Sequence, residues 1–301
     1  MTPTRELLEA ALQGFDIQRK AIEPTVCAIM LTKDRPELAA RAVRCFRAQT
    51  YANKSMVIYD FSKDRYGEQY QSELNPEPDP YIIWLGPSRY DEPLGAMRNA
   101  AISVTDHGFG IEADIIIHWD DDDYSHPNRI AEQVAFLQSS GAAVVGYSQM
   151  LFWDAVKGQS WLFSEASHHL LGTSLCYWRS TWESHKFDSR KHAGEDSDFL
   201  ARVGHRRVKS VSSLCELSMK VGYVEITRGG LFGGPADTHR KFAAIMPEIT
   251  QSPTREPRLI ATVHGANTQQ KTYDGFFKGG TVEMRRVAEW DERVRQVLEG
   301  A

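Results

Sequence analysis

Four consecutive aspartates, Asp120 to Asp123, follow an apolar run, Ile115-Ile116-Ile117-His118-Trp119. Carboxylates this close repel one another, and at the end of a buried strand the repulsion is poorly screened. Folding alone gives no reason to gather them there. A bound divalent cation does, because hard ions take oxygen ligands. In an extended segment alternate side chains share a face. Asp120 and Asp122 would then point one way, and Asp121 and Asp123 the other. One pair could hold a metal while the other makes hydrogen bonds or meets solvent. The plainer alternative is a solvated acidic turn ahead of a helix beginning near His126-Pro127, which is what most acid runs are.

The elements that must position these acids are legible from hydrophobic period. Val26 to Leu31 is a continuous apolar run, as expected for a strand buried on both faces, and it ends in Thr32-Lys33-Asp34-Arg35-Pro36. A helix from about Glu37 to Gln49 carries Leu38, Ala42, Val43 and Phe46 on one face. Met56 to Tyr59 reads as a strand ending in Asp60, and Tyr81 to Leu85 as another. A helix from Leu94 carries Arg98 and Asn99, the strand into the aspartates follows, and a helix (Ile130 to Ser139) and a strand (Ala143 to Ser148) come after it. Strands alternating with helices predict an α/β fold with a mostly parallel central sheet flanked by helices. In such sheets ligands bind at the carboxyl ends of strands. Asp34, Asp60 and the aspartate run all fall there.

From about residue 150 the pattern changes. Met150 to Trp153 and Ser160 to Phe163 flank a polar turn and predict a β-hairpin. Gly172 to Tyr177 reads as a strand, Glu195 opens a helix with Phe199, Leu200 and Val203, and Ile260 to Val263 reads as a late strand. Residues 229–235 are a glycine-rich loop, and Glu283 to Leu298 predicts a helix with Val287, Trp290, Val294 and Leu298 as its stripe. The expected organisation is an N-terminal helix and linker (1–24), a catalytic domain (25–225) and a C-terminal extension (226–301).

Composition is that of an ordinary globular protein: 301 residues, 42% hydrophobic and 25% charged, with a net charge of −5. That charge gives no overall pull toward nucleic acid or an anionic membrane. No apolar stretch approaches the roughly 20 residues that span a bilayer, and the start lacks a signal-peptide pattern. The cysteines Cys27, Cys45, Cys176 and Cys215 are scattered without metal spacing. A cytoplasmic location fits, with a membrane-peripheral one also open.

In order along the chain, several segments resemble the family 2 type of GT-A glycosyltransferases, from about Thr25 to Asn267. Leu31-Thr32-Lys33-Asp34-Arg35 and Val57-Ile58-Tyr59-Asp60-Phe61-Ser62 resemble that family's first two strand ends. Gly95-Ala96-Met97-Arg98-Asn99-Ala100 resembles its Gly/Ala-Arg-Asn helix start, and Trp119 to Tyr124 its Asp-x-Asp-Asp metal segment. Gly194-Glu195-Asp196 resembles the Glu-Asp segment that supplies a base, and His264-Gly265-Ala266-Asn267 a late His-Gly-x-Asn segment. The chain departs from the pattern in its fourth aspartate, in the single acid Asp60 where two are usual, and after residue 225.

The resemblance implies a metal-dependent, inverting transfer of a sugar from a nucleotide-sugar donor to a hydroxyl acceptor. It implies Mn2+ or Mg2+ on Asp120, Asp122 and Asp123, with His264 as a further ligand. It implies donor contacts from Thr32, Asp34, Arg35, Asp60, Arg98, Asn99, Asp120 and Asp121, and catalysis by Asp196 with Glu195 beside it. The alternatives from the residues are a nucleotidyltransferase on a sugar phosphate and a non-catalytic nucleotide-sugar binder. The acceptor (a glycan, lipid-linked glycan, small metabolite, protein or nucleic acid base) and any homo-oligomer are left open.

Overall fold

The computed structural model describes residues 23–62, 79, 81–86, 92–106, 111, 113–165, 170–211, 257, 259–263 and 282–301. The first strand, β1 (Val26–Thr32), is buried along almost its whole length, as its unbroken apolar run requires. It pairs in parallel with β2 (Lys54–Asp60) on one side and β4 (Ile115–His118) on the other. The register sets Thr32 opposite Asp60 and Ile29 opposite His118, so three strands end along one edge of the sheet. With β3 (Ile82–Leu85), β6 (Val144–Tyr147), β9 (Cys176–Trp178) and β10 (Val208–Val211) they form a seven-stranded sheet in the order β10-β6-β9-β4-β1-β2-β3. Only β9 runs against its neighbours, so the expected mostly parallel sheet is observed.

Alternate residues of β1 divide between two cores. Val26, Ala28 and Met30 pack with Ala42, Val43 and Phe46 of α1 (Pro36–Arg47) and Val134 and Leu137 of α3 (Arg129–Ser140). Cys27 and Ile29 pack on the other face with Ala101 and Ile102 of α2 (Leu94–Ser103) and Phe199 of α5 (Glu195–Val203), near α4 (Arg179–Ser184).

A second sheet has the order β12-β8-β7-β11-β5, in which β12 is Val282–Arg286. Its centre is the expected hairpin, β7 (Gln149–Asp154) with β8 (Gln159–Glu165). The late strand β11 (Leu259–Val263) lies parallel to β7 and antiparallel to the short β5 (Tyr124–Ser125). The chain therefore leaves the large sheet at His118 and enters the small one at Tyr124. The four aspartates are the crossing.

Two expectations change. The strand expected over Gly172 to Tyr177 is a 3-10 turn, Gly172–Ser174, followed by the short β9. Ser174 favours this: its hydroxyl donates to the Leu171 carbonyl (2.6 Å), a local bond that competes with extended pairing, and accepts from the distant Tyr147 N–H (2.8 Å). The helix expected over 283–298 is instead β12 (Val282–Arg286) followed by α6 (Asp291–Gly300). The open edge of β8 captures the first half as a strand, so tertiary pairing overrides the helical stripe. The second half keeps its stripe, with Val287 and Val294 fully buried. The expected helix within residues 1–22 and the 229–235 loop lie outside the described residues. Among the described residues no helix is long and apolar enough to cross a membrane.

Candidate functional site

Strand geometry stops at β4, although Trp119 N–H still bonds to the Ile29 carbonyl at 3.0 Å. Beyond it the chain turns, so alternation does not pair Asp121 with Asp123. Instead Asp120, Asp122 and Asp123 each bring a carboxylate oxygen within 4.8 Å of the others. Such a set of hard oxygen donors suits a divalent cation. Asp121 is not one of this group. It accepts the Thr32 hydroxyl at 2.6 Å, and Arg35 Nη2 lies 2.8 Å from its other oxygen without hydrogen-bond alignment. Burial pushes the Asp121 carboxyl up to about 7 against the pull of Arg35, and Asp122 adds to the rise.

Arg35 also donates Nη1 to Asp122 at 3.1 Å, so one guanidinium spans neighbouring acids. Arg41 donates to the Asp122 carbonyl at 2.6 Å. Asp123 accepts the Thr173 hydroxyl at 2.6 Å and the Thr262 N–H at 3.3 Å. The turn is thus held by β1, by α1, by the 172–174 turn and by β11.

Gly172 connects this corner to the expected base. A Cβ there would sit 1.9 Å from Asp196 Oδ2, so the carboxylate lies directly on the Gly172 α-carbon. Asp196 is half-buried and accepts the Ser197 N–H at 2.7 Å. Glu195 behaves differently. It is buried and accepts Arg98 Nε at 2.8 Å. Burial works against the Arg98 charge, but Glu195, Asp120 and Asp196 together raise its pKa above the ordinary value. Arg98 therefore stands within electrostatic reach of both the aspartate turn and Asp196.

Asn99 is engaged elsewhere. Its Oδ1 accepts Trp182 Nε1 and Phe187 N–H, and its Nδ2 donates to the Phe187 carbonyl and Ser189 Oγ. It pins the loop ahead of α5. Gly95 lets that loop approach α2, since a Cβ there would lie 2.2 Å from the Asp188 carbonyl oxygen.

Beside the aspartates, Thr32, Arg35, Pro36, Ala39, Asp60, Ser62 and Trp84 line a shallow open cleft. Asp60 caps its floor by accepting the Ser62 N–H at 2.9 Å, and Ser62 Oγ accepts the Asp34 N–H at 2.8 Å. Asp34 is exposed with φ 52°, a left-handed turn that aspartate tolerates. His264 lies outside the described residues.

Thr173, Arg41 and Thr262 escaped sequence reasoning, and nothing in their local sequence marks them. Arg129 also escaped, but it left a signal. A cation at the first position of a helix opposes the helix dipole and needs another reason to be there.

A mostly parallel sheet with a carboxylate turn at its strand ends and a second small sheet beside it is the GT-A architecture. TarS (residues 1–349) of S. aureus solved with UDP-GlcNAc has this fold, with a TM-score of 0.52 and 14% identity over 83% of this chain and 61% of that one. The same protein solved with UDP gives 0.50 and 13% over 74% and 70%. Residues 27–207 match the model of glycosyl transferase family 2, and the chain belongs to that family. A curated relative, the putative colanic acid biosynthesis glycosyl transferase WcaA of Escherichia coli K12, is 26% identical over 196 residues, 60% of this chain and 66% of that protein. The chain thus spans just under two thirds of that relative's length.

Proposed function

We propose that the protein transfers a sugar from a nucleotide diphosphate donor to an acceptor hydroxyl, with inversion at the anomeric carbon. The observation that carries this reading is the gathering of Asp120, Asp122 and Asp123 oxygens within 4.8 Å at the carboxyl end of β4. A divalent cation, Mn2+ or Mg2+, held by these three would neutralise the charge that develops on the leaving diphosphate. The chain's own residues do the rest. Thr32 and Arg35 hold Asp121 and Asp122 in place. The cleft lined by Asp60, Thr32 and Trp84 takes the nucleoside, with Asp34 close by through Ser62. TarS, which shares the fold, binds UDP and UDP-GlcNAc, and a uridine donor is our reading here too.

Asp196 is the base. Its carboxylate rests on Gly172, one residue from the Thr173 that holds Asp123. From there it takes the proton of the acceptor hydroxyl as that oxygen attacks. Glu195 serves by holding Arg98 between the two acidic groups. Cys27, Cys45 and Cys176 are free and buried, which suits the cytoplasm.

The test is product analysis with Asp196→Asn as the control. Wild type should release nucleoside diphosphate, and Asp196→Asn should retain donor affinity while losing at least about a hundredfold in kcat. Release of pyrophosphate, or full turnover by Asp196→Asn, would refute the assignment.

A further inference from the structure

Arg129 opens α3 and is fully buried. Its guanidinium makes a fork to four neutral oxygens. Nε donates to Gln133 Oε1 (3.1 Å), Nη1 to Ser125 Oγ (2.8 Å), and Nη2 to the carbonyls of His118 (2.8 Å) and Thr173 (2.9 Å). It lies 4.9 Å from the Trp119 ring. These partners are not scattered. His118 and Trp119 are the last residues before the aspartates, and Ser125 follows them in β5. Thr173 belongs to the turn that touches Asp123 through its hydroxyl and Asp196 through Gly172. Gln133 extends the same hold by donating to the Ser174 carbonyl at 2.7 Å.

One side chain therefore grips the aspartate turn at both ends and ties it to the turn beneath the base. Burying an arginine charge costs several kcal/mol, and apolar residues of similar volume are often as good for stability. Only a planar, five-donor group reaches this set of oxygens, and a lysine does not. Burial works against its charge, and Asp123 and Asp120 offset only part of that through space.

We propose that Arg129 is a positioning residue: it locks the aspartate turn to the Gly172–Ser174 turn and so sets the spacing at which Asp120, Asp122 and Asp123 take a divalent cation. This rests on the reading of that cluster as a cation site.

The test is Mn2+ binding to the full chain, read from the electron paramagnetic resonance of free Mn2+ at 25 °C, with and without UDP. Near-UV circular dichroism reports folding. Arg129→Lys keeps the charge and loses the fork, and its Mn2+ affinity should fall about tenfold. Ser125→Ala removes one acceptor of the fork with the loss of a single oxygen atom, and its affinity should fall about threefold. A folded Arg129→Lys with wild-type affinity overturns the proposal, as does a folded Ser125→Ala with wild-type affinity where Arg129→Lys does not fold. Wild type that binds no Mn2+ under either condition overturns the underlying cation-site reading instead, and this inference falls with it.

Discussion

Arg98 and Glu195 form a buried ion pair, 2.8 Å apart with side chains 8% and 3% exposed, and its two halves should fail unequally. Removing one partner of such a pair leaves an uncompensated buried charge and costs about 3–5 kcal/mol. In Arg98→Met the stranded group is a carboxyl, which can take up a proton. For an ordinary glutamic acid that escape costs at most about 3.7 kcal/mol at pH 7 and about 2.3 kcal/mol at pH 6. In Glu195→Leu the stranded group is a guanidinium, which cannot lose its proton. Only the more distant Asp120 and Asp196 then remain to offset it. The penalty of Arg98→Met should therefore shrink from pH 7 to pH 6, by no more than about 1.4 kcal/mol, while that of Glu195→Leu stays constant. Urea denaturation followed by circular dichroism at the two pH values measures both, and the double variant should recover most of the loss. Equal, pH-independent penalties, or a double variant as unstable as the sum of the singles, would refute the pairing argument.

Three further outcomes follow from the same geometry. Gly172→Ala puts a methyl where Asp196 Oδ2 lies and must swing the carboxylate aside; kcat should fall about a hundredfold with the melting temperature nearly unchanged, since small displacements of reacting groups are that costly. Thr173→Val removes the 2.6 Å hydroxyl bond to Asp123 and should weaken Mn2+ binding by roughly tenfold, read by calorimetric titration. Burial pushes the Cys27 and Cys176 thiols up to about 12 and raises that of Cys45; peptide mass spectrometry after iodoacetamide should find all three unlabelled in the folded protein and labelled after urea.

In the large sheet β1, β2 and β4 were legible because each contains an unbroken apolar run, and their parallel register made their polar ends converge, whereas β10, behind a basic cluster, was not. The carboxylates stood out because nothing in folding explains four together. What was not legible depends on contacts far apart in sequence. Strand parity failed at Asp121–Asp123 because the chain turns there to reach β11, more than 130 residues later. Thr173 is an unremarkable residue whose role appears only when Ser174 folds its segment into a turn. β12 was missed for the same reason, since its segment carries a helical stripe and is a strand because the open edge of β8 receives it, whereas the apolar run of β11 already read as a strand.

The most direct test is release of nucleoside diphosphate from UDP-, GDP- and dTDP-sugars with added Mn2+ and with EDTA. The structure predicts release from at least one donor with Mn2+, near-complete loss with EDTA, and a loss of about a hundredfold or more in Asp122→Asn. Release that EDTA leaves unchanged, turnover of Asp122→Asn at the wild-type rate, or no reaction with any donor would contradict it.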